Sequence, residues 1–489
     1  MRQAYRVDTI RAAERAAMAA VPEGTLMQRA AFGLAAACTA ILQRTPGCVY
    51  GAHVSVLAGT GDNGGDALYA GALLARRGAQ VSVIQVSAIT PGKVHEQGLA
   101  ALVQAGGRIA DAASLEDADL IIDGLLGIGG HGGLREPFAA LARQAGQTGA
   151  TTVAVDLPSG IDADTGAVDG PAITADVTIT FGAIKPGLLI DPGASKAGAV
   201  HLVDIGLDLS AAEPAAQAPQ RDDISALLPR PGAESDKYRR GVLGVLAGSD
   251  RFGGAAVLAT GGAIRGGAGM VRVVTSDQAA PAVRQYWPEA VITGYGAEPG
   301  RVQAWVAGPG MGTTDEALGR LGNVLAADVP VLVDADGLTL LPRLADAMKA
   351  RTAPTLITPH AGELGRLLQA NPDDIEAHRL DYATRAAAEL NLTVLLKGST
   401  TVIASPGCAT VTVNPTGTPW LATAGSGDVL SGLAGALLAQ GLSTAEAAMA
   451  AAYLHGLAGR LAADGAPIGA TDIIDALPDA IRSTSGSLR

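Results

Sequence analysis

The chain has 489 residues and a formal charge of −12; 48% of its residues are hydrophobic but only 3% are aromatic. This length exceeds one ordinary core and suggests about two to four domains, with interiors built from Ala, Val, Leu and Ile. An acidic balance without a long basic run argues against a general nucleic-acid or anionic-membrane binder, but leaves room for a local basic pocket that takes a phosphorylated small molecule. The 65 glycines follow no fixed period, which excludes a collagen-like chain. Cys38, Cys48 and Cys408 are widely spaced with no C-x-x-C pair, so they read as inert thiols rather than a disulfide framework or zinc site. Residues 1–8 hold no apolar signal core, and no uninterrupted apolar run approaches the roughly 20 residues that span a bilayer. A cytoplasmic protein without membrane or nucleic-acid partners is expected.

Residues 8–20 and 25–43 read as helices, and Thr25-Leu-Met-Gln28 fits a capping box at the start of the second. Apolar strand-like runs then alternate with helical segments. Strands are predicted at 53–58, 80–86, 120–122, 152–155 and 177–181, with helices at 65–77, 94–105 and 137–144. This alternation predicts a mainly parallel sheet with helices on both faces. Residues 208–221, rich in Ala, Pro and Gln, break the rhythm and read as a linker. Strands resume at 242–247, 270–275, 304–307, 331–333, 355–358, 393–396 and 401–403, with helices at 255–265, 363–368, 375–390 and 445–463. Two α/β domains in tandem are the simplest organisation.

Three acidic motifs of the first half follow predicted strands. They are Ala58-Gly-Thr-Gly-Asp-Asn-Gly-Gly-Asp66, Asp123-Gly-Leu-Leu-Gly-Ile-Gly-Gly-His-Gly-Gly133 and Asp156-Leu-Pro-Ser-Gly-Ile-Asp162. Ligands of an open parallel sheet bind beyond the carboxyl ends of its strands, where all three motifs would converge. Each alone could be a capped turn. Residues 59–64 fit G-x-G-x-x-G, but the acid expected about 20 residues on is missing, which disfavours a standard NAD dehydrogenase.

These residues resemble the epimerase domain of the bifunctional NAD(P)H-hydrate repair enzymes, over most of residues 1–206. Asn63, Gly64, Gly65 and Asp66 match the family run, whereas Asp62 and Ala67 depart from it. The resemblance implies that Asn63, Asp123 and Ser159 hold a potassium ion. It further implies that Asp62, Asn63, Gly64, Gly65 and Asp66, with Gly127, Ile128, Gly129, Gly130, His131, Gly132 and Gly133, bind the hydrate. Asp156 would contact its reacting part. Epimerisation at a hydroxyl-bearing carbon needs an acid–base group near that carbon, so Asp156 is the expected catalyst. Lys185 is a weaker second, equally readable as a solvated lysine beside a turn.

The second half is organised around Leu421-Ala-Thr-Ala-Gly-Ser-Gly-Asp-Val-Leu-Ser-Gly432, where small residues lead into a helix. A helix start exposes unpaired N–H groups and attracts anions. Asp428 there could take a proton from a hydroxyl attacking phosphorus, or Ser426 or Asp428 could simply cap the helix. Lys397-Gly-Ser-Thr-Thr401 follows a strand and suits a nucleotide phosphate, or an ordinary turn. Thr358-Pro-His-Ala-Gly-Glu363 puts His360 at the ligand face.

With Gly248-Ser-Asp-Arg-Phe-Gly-Gly-Ala255, Gly308-Pro-Gly-Met-Gly312 and Asp334-Ala-Asp-Gly337, these motifs are similar to the dehydratase domain of the same family, over about residues 222–485. The resemblance implies a Rossmann-like epimerase domain (1–210), a linker (211–221) and a ribokinase-like dehydratase domain (222–489), each a three-layer α/β fold. Ala255, Gly312, His360 and Asp428 would contact the hydrate. Lys397, Gly398, Ser399, Thr400, Thr401 and Gly427 would contact ADP, accompanied by magnesium. A homo-oligomer is expected. The alternatives are an ATP-dependent kinase of a small alcohol with an appended domain, which would not need the first-half motifs, and a ligand-binding scaffold, which would not need Asp156 and Asp428.

Overall fold

The computed structural model describes residues 1–45, 47–85, 94–130 and 132–485. The chain divides into two compact units, Gln3–Ala216 and Gln217–Arg489, the latter joined by Met1–Arg2. The strands, in chain order, are β1 (Arg2–Ala4), β2 (His53–Ala58), β3 (Gln80–Gln85), β4 (Arg108–Ala110), β5 (Leu120–Gly124), β6 (Thr151–Val155), β7 (Val177–Phe181), β8 (Ala199–Val203), β9 (Ala216–Ala218), β10 (Val242–Leu246), β11 (Met270–Thr275), β12 (Val291–Gly294), β13 (Ala304–Ala307), β14 (Val331–Val333), β15 (Thr355–Ile357), β16 (Thr393–Leu396), β17 (Val402–Ala404) and β18 (Val411–Val413).

The first unit holds a seven-stranded sheet in the order β4-β3-β2-β5-β6-β7-β8, parallel throughout. The winding reverses at β2, which pairs with both β3 and β5, so the crevice beyond their ends is the natural ligand position. The central strands are apolar along their length because helices cover both faces. Helix Thr25–Arg44 is long and apolar enough to cross a membrane by length and composition. Here Leu26, Ala30, Leu34, Cys38 and Leu42 pack into the core, a one-sided stripe at helical spacing. The expected capping box at Thr25 is absent: Gly24, at φ +80°, is the cap residue, and the Thr25 hydroxyl turns back to Pro22 O at 2.6 Å.

The second unit carries an eleven-stranded sheet in the order β1-β9-β18-β17-β16-β15-β14-β13-β10-β11-β12. It is parallel from β12 to β16, but β16–β17 and β17–β18 are antiparallel hairpin pairs. The stretch 211–221, expected to be a linker, contains β9 with Ala216 and Ala218 buried, followed by a capping box at Gln220. Its lack of apolar periodicity reflects a three-residue strand, too short to show a period. The expected helix over 375–390 is two helices, Pro372–Ala377 and Arg379–Leu390, that meet at His378.

Helix Ser426–Ala439 is buried along nearly its whole length. It packs on helix Gly253–Arg265 at glycine contacts: a Cβ at Gly432 would stand 2.0 Å from Ala259 O, and one at Gly262 would stand 2.3 Å from Val429 O. Backbone therefore touches backbone, which fixes where the N-terminus of Ser426–Ala439 lies relative to the strand ends. Gly432→Ala should push the helices apart and cost about 1–3 kcal/mol, the range for overpacking. The midpoint of denaturant unfolding measures it, and an unchanged midpoint would mean that the contact is slack.

Candidate active sites

In the first unit Asp156 directly follows β6 and has φ +66°, a conformation uncommon outside glycine. Its N–H donates to Ile179 O at 2.8 Å, which fixes the turn. Its Oδ1 accepts from Phe181 N–H at 3.1 Å, from the Thr180 hydroxyl at 3.2 Å and from the Lys185 ammonium. Lys185 is only 1% exposed and also donates to Thr180 Oγ1 and Phe181 O, each at 3.1 Å. The reading of Lys185 as a solvated lysine is thereby corrected: its charge is buried because Asp156 neutralises it.

Two further carboxyls face this pair. Asp66, in helix Asp62–Ala75, is buried with Oδ1 unpartnered among the described residues. Burial, then the charges of Asp156, Asp62 and Glu14, hold its proton affinity well above the ordinary carboxyl range. Glu14, from helix Val7–Ala20, is also raised, by burial first and by Asp156 and Asp62, against Lys185. Nothing in the sequence around Glu14 marked it, since it reads as an exposed helical acid.

The three residues expected around potassium gather about Leu125 and Leu126, Asp123 accepting from Leu125 N–H at 3.3 Å. Asn63 Nδ2 donates to Leu126 O at 3.0 Å and Val155 O at 2.9 Å. The Ser159 hydroxyl contacts Leu126 N at 2.9 Å and donates to Asp123 Oδ1 at 2.7 Å. Asp123 is fully buried, and burial lifts its pKa to about 6 despite the hydrogen bonds from Ser159 and Leu125. Of the loop 127–133, Gly127 lies against the Asn63 side chain, Gly129 near Arg11 and Gly133 against Gly170. His131 lies outside the described residues. A cavity of about 650 Å³ lined by Gln28, Arg29, Phe32, Tyr69 and Gln97 contains none of the expected site residues.

In the second unit the site is built at the ends of β13 to β16 and the start of Ser426–Ala439. Gly425, at φ +85°, is the N-cap, and no side chain caps this helix. That corrects the capping reading of Ser426 and Asp428. The Ser426 carbonyl instead takes the Nε2 proton of buried His455 at 3.0 Å. Burial keeps His455 neutral, with a pKa lowered to about 4.

Asp428 sits in the first helical turn with its pKa raised to about 7, by burial first and then by Asp334, against the pull of Lys397. Lys397 Nζ lies 2.7 Å from Asp334 Oδ1 and 4.0 Å from Glu363 Oε2. Burial works against its charge, but Asp334, Glu363 and Asp428 outweigh that and raise its pKa. Gly427 is adjacent: a Cβ there would be 3.3 Å from Lys397 Nζ.

His360 is the N-cap of helix Ala361–Leu368, Nδ1 accepting from Gly362 N–H at 3.0 Å, while its ring stays 57% exposed. Gly312 N–H donates to Asp336 Oδ2 at 2.9 Å, and Ala255 packs near Gly310. The loop Lys397–Thr401 wraps a fully buried guanidinium: Arg379 donates to Lys397 O at 2.7 Å, Leu396 O at 3.3 Å and Thr400 O at 2.9 Å. Gly398 lies flat on it, since a Cβ there would come within 2.2 Å of Arg379 Nη2. Ser399 is exposed, Thr400 buried and Thr401 intermediate.

Residues 243–479 match the family profile described as NAD(P)H-hydrate dehydratase, and residues 23–187 match that described as YjeF-related protein N-terminus. The bifunctional NAD(P)H-hydrate repair enzyme Nnr of Mycobacterium tuberculosis is 49% identical over 449 residues, covering 92% of this chain and 91% of that protein. The chain belongs to the bifunctional NAD(P)H-hydrate repair enzymes. The Nnr of Mycobacterium leprae is 47% identical, covering 95% of this chain and 94% of that protein. Among solved structures, an ADP/ATP-dependent NAD(P)H-hydrate dehydratase from Bacillus subtilis, co-crystallised with ATP and Mg2+, is 33% identical. It superposes with a TM-score of 0.50, over 54% of this chain and 97% of that one.

The two halves of this repair enzyme thus each centre on a lysine–aspartate pair, buried in the first and part-buried in the second. Lys185→Met would leave Asp156 as an unneutralised buried charge. The expected loss of stability is about 3–5 kcal/mol, the range for breaking a buried pair by removing one partner. Denaturant unfolding of the variant checks it, and a loss below about 1 kcal/mol would mean that Lys185 is hydrated.

Proposed function

We propose that the chain repairs hydrated NADH and NADPH in two steps. The first unit interconverts the R and S forms of the hydrate. The second dehydrates the S form at the expense of ADP, giving NAD(P)H, AMP and phosphate. The observation that carries this reading is the Asp428 carboxyl, free of any capping role and holding a pKa of about 7 at the start of a buried helix.

In the second unit Asp428 takes the proton of the ring hydroxyl as its oxygen attacks the terminal phosphorus of ADP. The bond to AMP breaks, and hydroxide, a poor leaving group, has become phosphate. Phosphate departs with the C–O electron pair, the adjacent ring carbon loses a proton, and the reduced ring is restored. The N–H groups at Gly425–Gly427 face the charge on the moving phosphoryl group. His360, Gly312 and Ala255 are assigned to the hydrate, and Lys397–Thr401 with Gly427 to the nucleotide, whose phosphates carry magnesium as counter-ion. ADP is preferred to ATP as donor.

In the first unit Asp156 acts as the acid–base group, and residues 62–66 and 127–133 hold the hydrate. The all-oxygen set of Asn63, Asp123 and Ser159 fits a hard monovalent cation: Asp123 is a buried anion, and among the described residues no three His, Cys, Asp or Glu groups converge as for a divalent metal. Potassium bound there would supply the charge that keeps Asp123 ionised and would brace the loop after β5. A cytoplasmic location fits these substrates.

Asp428→Asn should bind ADP almost as well as the parent while turnover falls about 10²-fold or more. Since Asp428 works as a base only when deprotonated, parental turnover should rise with pH through a limb near 7. Turnover close to the parent's would exclude Asp428 as the base. Asp156→Asn should dehydrate the S form at the parental rate and leave the R form to its spontaneous conversion. Parental rates on both forms would remove Asp156 from the mechanism.

A further inference from the structure

We propose that Asp334 is a positioning residue for phosphoryl transfer: it holds the Lys397 ammonium away from the Asp428 carboxylate and so leaves Asp428 able to accept the substrate's proton. The inference rests on Asp428 being the base. Asp334 follows β14 directly and is 1% exposed. Both of its oxygens are engaged. Oδ1 takes Lys397 Nζ at 2.7 Å, and Oδ2 accepts from the Ser431 hydroxyl at 2.6 Å. Ser431 is fully buried and lies three residues beyond Asp428 on the same helix. Asp334 therefore clamps the lysine of the nucleotide loop to the helix that carries the base.

Lys397 lies against Gly427, the residue before Asp428. Its ion pairs nevertheless run to Asp334 and Glu363, and among the described residues none within 4.0 Å joins it to Asp428. A lysine is a point charge on a flexible stem. Without Asp334 the ammonium keeps only the 4.0 Å contact to Glu363 and is free to swing onto Asp428. Direct pairing would stabilise the ionised carboxylate and make it a poor proton acceptor. Asp334 opposes this twice, by engaging the ammonium and by its own negative charge.

The other charged groups around Asp428 do not replace it. Asp336 is held by Gly312 N–H at 2.9 Å, and Glu363 caps His360 N–H at 2.8 Å and reaches Lys397 only at 4.0 Å. From helix Thr444–Ala463, His455 faces Ser426 and is neutral. From helix Ala470–Ser485, which meets Gly425 through Ala470, the nearest acid is Asp472, exposed and bonded to Gly469 N–H at 2.8 Å.

The test measures kcat against pH at saturating ADP for the full chain, for Asp334→Asn and for Asp334→Asn/Lys397→Met, with Asp428→Asn as reference. In Asp334→Asn the acid limb should move down by about 1 pH unit or more, the usual size of a neighbouring-charge effect, and the plateau should fall at least about tenfold. Because the double variant has no ammonium to capture Asp428, and no orphaned buried charge, its limb should return towards the parental position. An unmoved or raised limb in Asp334→Asn would overturn the inference, as would a double variant whose limb stays where the single one's lies. If Asp428→Asn itself retains turnover, the base assignment has failed instead; if it is inactive while the Asp334→Asn limb is unmoved, only the role of Asp334 has failed.

Discussion

In each unit one lysine ammonium, buried in the first and part-buried in the second, faces more carboxyls than it can neutralise. Lys185 meets Asp156 with Asp66 and Glu14 in electrostatic reach. Lys397 meets Asp334 with Glu363 and Asp428 in reach. Isolated charges are costly to bury, so the lysine can be there only with a paired acid, and the pair is satisfied by hydrogen bonds as well. Of the surplus acids, Asp66, Glu14 and Asp428 are held above the ordinary carboxyl range, by burial first. Each site consequently holds a lysine-paired carboxyl beside one with raised proton affinity, an arrangement suited to moving protons.

Parallel sheets explain why this arrangement recurs. Strands buried on both faces leave polar groups nowhere to go but the loops beyond their ends. Asp156 after β6, Asp123 at the end of β5, Asp334 after β14 and Lys397 after β16 all occupy that position. Distant parts of the sequence meet there because the strands are neighbours, not because the motifs are. The helix Ser426–Ala439 adds the second requirement, a helix start held in place by backbone contact at Gly432 and Gly262. An exposed start could fray; this one is locked by its packing.

Much of this was legible in the sequence because the loops at strand ends are marked by Gly and Asp. The order of the central strands' segments, the motifs around Asn63, Asp123 and Asp156, and those around Lys397 and Asp428 could all be read. What escaped has physical reasons. Short strands such as β4, β8, β9 and β18 have three to five residues, too few for a period to show. Lys185, Arg379 and Glu14 are charged residues, and the ordinary expectation for a charged residue is exposure. Arg379 is fully buried because three carbonyls and the Glu376 carboxylate accept its hydrogen bonds, an arrangement that no local pattern announces.

The glycines make contacts within the protein that their motifs did not announce. Close backbone approach was expected to serve a phosphate. At Gly64 it serves the protein: a Cβ there would stand 2.3 Å from Gly59 O, so the helix start is pressed against the preceding loop. At Gly398 the backbone rests on Arg379. Only after these internal contacts are made do the loop N–H groups have fixed directions in which to meet a ligand. The glycines therefore let these loops pack tightly, and a larger residue at either position would have to move the loop.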